Sequence, residues 1–164
     1  MSLKKKSKLN IYNLNLNCRK EDEIYFKALY EKEFRKLNSF ELDIFSKISS
    51  LKKLIHSFLD QQDFIFDIQT HHDNNYKLTA SKNDLGASVQ MGNIGNFAFD
   101  ILKMNDAKRN NVISRGIFFI PTKDAVTKIG QTGNNPTFDR IAAKSDYFSR
   151  QLILPVCIYG VNLD

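Results

Sequence analysis

Apolar residues recur near a helical period over residues 21–37, where Ile24, Tyr25, Ala28, Leu29 and Phe34 are separated by charges. A second stripe, Phe45, Ile48, Leu51, Leu54, Ile55, Phe58 and Leu59, predicts a helix over residues 39–61, with Ser39 and Glu41 at its start. Core packing against a sheet is the plainer use of that stripe. The period then shortens to two. Phe64, Phe66 and Ile68 alternate with Ile65 and Asp67, which predicts a strand over residues 63–69. After the polar stretch Thr70-His71-His72-Asp73-Asn74-Asn75, two short strands at residues 76–80 and 85–91 flank Ser81-Lys82-Asn83-Asp84, a turn composition, and predict a hairpin. Phe97, Ala98, Ile101, Leu102 and Met104 predict a helix, and Gly116-Ile117-Phe118-Phe119-Ile120-Pro121 a strand buried on both faces. Residues 122–137 read as a long polar loop, 138–151 as a short helix and 153–161 as another buried strand. A hairpin followed by strands alternating with helices predicts an α/β fold, a mixed sheet covered by helices on both faces.

Composition narrows the class. The chain's 164 residues, 42% of them hydrophobic, suffice for one domain with a packed core. Residues 1–20 read as a flexible basic leader and residues 21–164 as the domain. The two cysteines, Cys18 and Cys157, lie far apart and in no metal-ligand spacing, so reduced thiols are the simpler expectation. No apolar run approaches the length of a membrane span and no apolar signal core opens the chain, so a cytoplasmic location is expected. The net charge of +6 suits a polyanionic partner, but Lys4, Lys5, Lys6 and Lys8 of the leader carry four of the positive charges.

The hairpin carries the informative motif. Lys82-Asn83 forms the turn, Gly86-Ala87-Ser88-Val89-Gln90-Met91-Gly92 the return strand, and Phe99-Asp100-Ile101-Leu102 part of the helix behind it. These stretches, with the later strands and their prolines, resemble the BamHI/BglII/BstYI group of Type II restriction endonucleases over roughly residues 63–161. The resemblance implies a restriction-endonuclease-like mixed sheet, double-stranded DNA as partner, a symmetric homodimer, and Mg²⁺-assisted phosphodiester hydrolysis. In that chemistry an Asp on the first strand and a Glu on the second hold the ion, which acidifies a water and screens the phosphate. Aligned without a gap, the Asp position is Thr79, the Glu position Ser88 and the third position Gln90. Only Gln90 fits the family pattern. Two neutral hydroxyls give a hard cation little reason to stay, so Mg²⁺ is required only if the chain is active. Alternation puts Leu85, Ala87, Val89 and Met91 on one face, and Gly86, Ser88 and Gln90 on the other.

Few other acids lie near enough in sequence to substitute as ligands. Asp84 sits in the turn, roughly 13 Å along the strand from Ser88 at about 3.3 Å per residue. Asp63 and Asp67 precede the hairpin and could neighbour it, and His71, His72 and Asp73 offer a transition-metal set. Gly130-Gln131-Thr132-Gly133-Asn134-Asn135 lacks the Lys-Ser/Thr ending of a phosphate loop, and Ser88 lies in no nucleophile elbow. In the nuclease reading, Lys123, Lys128 and Arg140 are candidate phosphate contacts, and Asn134 and Asn135 candidate base readers. Three functions remain open from sequence. They are a DNA-binding protein with impaired or lost hydrolysis, an active Type II site-specific deoxyribonuclease with a rewired metal site, and a non-catalytic interaction module on the same fold.

Overall fold

The sheet is built around its parallel strands. In the computed structural model, which describes residues 6–43, 47–72, 75–131 and 133–164, seven strands run in the order β2-β1-β7-β6-β5-β4-β3. They are β1 (Lys6–Leu16), β2 (Glu41–Asp43), β3 (Ile65–Gln69), β4 (Lys77–Lys82), β5 (Leu85–Val89), β6 (Arg115–Pro121) and β7 (Val156–Leu163). The pairs β5/β6 and β6/β7 are parallel and every other pair is antiparallel. The helices are α1 (Lys20–Lys32), α2 (Ile48–Gln61), α3 (Ile94–Arg109), α4 (Lys123–Lys128), α5 (Phe138–Ala142) and α6 (Ser145–Gln151). This is the expected α/β architecture, a mixed sheet with helices on both faces.

Two apolar clusters fix the layers. On one face Phe26, Leu51, Ile55 and Phe58 of α1 and α2 pack on Ala87, Val89, Phe119 and Tyr159. On the other, Phe97, Ile101 and Met104 of α3 and Ile141 of α5 pack on Phe118, Ile120, Val156 and Ile158. The residues of β6 therefore alternate between two cores, which explains its unbroken apolar run. Arg115 ties α1 to the start of β6: its Nε lies 3.2 Å from Asp22 Oδ1 and its guanidinium 4.4 Å from the centre of the Tyr25 ring.

Several sequence expectations need correction. Residues 6–16, assigned to the leader, form β1, which lies between β2 and β7 and buries Leu9, Ile11 and Leu16. The helix expected over 39–61 begins only at Ile48; Glu41–Asp43 is a short strand, and residues 44–46 lie outside the described residues. The polar loop expected over 122–137 contains α4, and the helix expected over 138–151 is divided into α5 and α6. No helix among the described residues is long and apolar enough to cross a membrane.

Candidate functional site

The hairpin β4–β5 has its turn at Asn83, whose φ of 54° is a left-handed conformation that Asn tolerates. Its register pairs Lys82 with Leu85, Ser81 with Gly86 and Ala80 with Ala87. The next step in that register sets Thr79 opposite Ser88. Here the outer strands turn over. Phe66 and Ala80 pack with the α2 face, whereas Ile68 and Leu78, two residues along each strand, pack with the α3 face. Between them stand Asp67, at φ 57°, and Thr79. The Thr79 hydroxyl accepts the Val89 amide at 3.4 Å, so it is turned onto the backbone of β5.

Ser88 and Gln90 face α3, as the alternation predicted, but they do not face open solvent. They are 2% and 8% exposed. Both meet Asp100, nearly two turns into α3: Ser88 Oγ donates to its Oδ2 at 2.7 Å and Gln90 Nε2 to the same oxygen at 2.8 Å. The other carboxylate oxygen takes Lys103 Nζ at 3.2 Å, an i,i+3 ion pair whose side chains are only 14% and 23% exposed for Asp100 and Lys103. Gln90 Oε1 accepts the Gly92 amide at 3.0 Å, and Lys103 Nζ lies 5.1 Å from the centre of the Phe99 ring. Every polar group of this cluster thus has a partner.

The cluster does not fit Mg²⁺. The ion needs anionic oxygens free to replace water. Asp100 supplies the cluster's carboxylate, and its two oxygens already accept three donors, one of them cationic. Ser88 commits its proton to that carboxylate, and Thr79 already accepts a backbone amide. Among the described residues no group of three or more His, Cys, Asp or Glu could hold a metal.

Asp63 and Asp67 take other places. Asp63 follows α2 in a left-handed conformation, its amide bonded to Asp60 O at 3.0 Å. Asp67 acts electrostatically on His56, which is held below its ordinary pKa first by burial and then by Lys52, with Asp67 opposing both. Asp84 accepts the Ser114 hydroxyl and lies 3.8 Å from Arg115 Nη1. The rings of His71 and His72 stand 4.2 Å apart, and Asp73 lies outside the described residues.

Four of the five candidate DNA contacts converge. Lys123, Asn134, Asn135 and Arg140 line one open groove of about 470 Å³, together with Gly133, Thr137 and Asp139. Lys128 does not join them: its ammonium bonds Leu163 O and pairs with Asp124 at 2.9 Å. The groove abuts the start of α3, where the Ile94 amide donates to Asn134 O at 2.7 Å. It therefore opens at the sheet end where parallel β5 and β6 finish, the end that also carries Gln90.

The sequence reading missed Asp100 and Lys103 as members of the site. A signal was present, because position 100 falls among the buried positions 97, 101, 104 and 107 of α3. An acid on an apolar stripe needs a buried partner.

No model of a known protein family matches the sequence, and no curated protein sequence matches it. Solved structures do. The restriction endonuclease BglII complexed with a DNA 16-mer superposes with a TM-score of 0.65 at 13% identity, over 92% of this chain and 77% of that one. Free BglII superposes with a TM-score of 0.59 at 12% identity, over 92% of this chain and 78% of that one. At such identity the likeness speaks for architecture, and what it establishes is that this chain has a BglII-like restriction-endonuclease fold.

Proposed function

We propose that this chain is a DNA-binding protein of restriction-endonuclease-like fold in which Mg²⁺-dependent phosphodiester hydrolysis is impaired or lost. The carrying observation is the cluster of Ser88, Gln90, Asp100 and Lys103, in which the two residues that the gapless alignment lays on family site positions, Ser88 and Gln90, are committed to Asp100 by hydrogen bonds and Asp100 to Lys103 by an ion pair. The groove lined by Lys123, Asn134, Asn135 and Arg140 supports the DNA part of the reading, because two cations and two amides suit phosphate contact and base-edge contact. A homodimer on duplex DNA and a cytoplasmic location belong to the same reading.

The test is fluorescence anisotropy with a labelled mixed-sequence duplex, paired with a plasmid-nicking assay in Mg²⁺ and in Mn²⁺. Phosphate contacts release counterions, so neutralising even two phosphates lowers affinity about tenfold between about 50 and 200 mM salt. The expected result is salt-sensitive binding with the plasmid left supercoiled. Absence of binding, or binding indifferent to salt, would remove the DNA partner. Nicking abolished by a chelator would show that hydrolysis survives. Light scattering on the complex reports whether two copies are bound.

A further inference from the structure

We infer that Lys103 is the fixed positive charge of this site and that its ammonium, braced by Asp100, meets a backbone phosphate of duplex DNA without a metal ion. The inference rests on the DNA-binding reading and adds to it a named residue and a mode of contact.

The geometry of the pair motivates it. Asp100 and Lys103 sum to zero, with the nitrogen 3.2 Å from the carboxylate. The carboxylate is oriented from behind: Ser88 and Gln90, both buried, hold one oxygen at 2.7 and 2.8 Å and leave the other for Lys103. An ammonium has three protons and no acceptor. One proton goes to Asp100. The Phe99 ring, centred 5.1 Å away, flanks the nitrogen, and the side chain retains an open face at 23% exposure. A partly desolvated cation with a free donor is suited to a phosphate oxygen. Asn134 of the groove bonds Ile94 at the start of the helix that carries Asp100 and Lys103, and Lys103 lies about 13 Å further along that helix at about 1.5 Å per residue, a distance that one bound duplex spans.

The two halves of the pair make opposite predictions. Lys103→Gln leaves Asp100 as an uncompensated negative charge, and Asp100→Asn leaves Lys103 as an uncompensated positive one. Anisotropy with a labelled mixed-sequence duplex, in EDTA throughout, should show weaker binding for Lys103→Gln, with a salt slope shallower by about one phosphate contact. It should show tighter binding for Asp100→Asn and wild-type behaviour for Lys103→Arg. Mg²⁺ at constant ionic strength should leave wild-type affinity unchanged. Wild-type affinity and slope in both Lys103→Gln and Asp100→Asn would overturn the inference while leaving DNA binding intact. So would equal weakening by the two, the mark of a scaffold alone. If the wild-type protein binds no duplex, both readings fall together. Thermal melts of each variant separate lost contact from lost fold.

Discussion

Gly160 of β7 lies directly under the Phe138 ring: a Cβ built there would stand 2.5 Å from Phe138 Cγ and 2.9 Å from its Cβ. The atoms met include the Cβ and Cγ of Phe138, next to its backbone, so relief requires the start of α5 to shift and not merely a ring to turn. Gly160→Ala should therefore destabilise by about 1–3 kcal/mol, the usual cost of overpacking, read as a lower melting temperature. The same scale shows how far single residues could be read beforehand. The facing of Ser88 and Gln90 follows from strict alternation in β5, and the structure agrees. Thr79 was harder, because the Asp67–Thr79 level is where β3 and β4 exchange faces, and a period of two cannot reveal such a turnover. Asp100 and Lys103 were legible as an i,i+3 pair on a helix. That Asp100 also holds Ser88 and Gln90 depends on how α3 lies across the sheet, which is a tertiary fact.

Among the elements, α4 shows why short helices escape a periodicity reading. Its six residues complete fewer than two turns, so no stripe can form. Its start was nevertheless written in Thr122, whose hydroxyl accepts the Ala125 amide at 3.1 Å and donates to Asn162 Oδ1 at 2.6 Å, both bonds buried. Thr122→Ala removes a cap worth about 1 kcal/mol and a buried bond worth about another. A loss of about 2 kcal/mol in urea unfolding is expected, with Thr122→Ser retaining most of the stability. β1 escaped for a different reason. Leu9 and Ile11 enter the core beneath α1 and α2, while Leu14 and Leu16 enter the opposite core with α3. The strand keeps its alternation, yet each half is buried on a different side, so the apolar positions look out of phase.

For the whole molecule, the α/β class and the hairpin with its following parallel strands were legible, because those strands bury both faces and advertise it. The far half of the sheet was not, since β1 and β2 join it only through distant partners. One global property follows from what the sheet buries. Burial pushes the Cys18 thiol up to about 11 and the Cys157 thiol up to about 12, and raises the Tyr159 phenol further. In the unfolded chain these thiols ionise near the ordinary thiol value of 9.0. The native state then holds more protons than the unfolded state once the pH passes that value. Their stabilising effect is thus complete below about pH 9 and is lost as the pH climbs through the native values. Urea midpoints should be flat from pH 7 to 9 in this respect and fall toward pH 11, with a gentler fall in Cys157→Ala.

The pairing of β1 with β7 joins Leu9 to Leu163 and Leu16 to Val156. A ribosome making this chain would release β1 long before its principal neighbour exists. Until synthesis reaches β7, β1 has only the three-residue β2 to pair with, and its apolar side chains lack much of their cover. Closure of so large a loop is slow, and an unsatisfied strand is sticky while it waits. The same join that completes the sheet therefore leaves newborn copies with an apolar strand uncovered until the last residues are made.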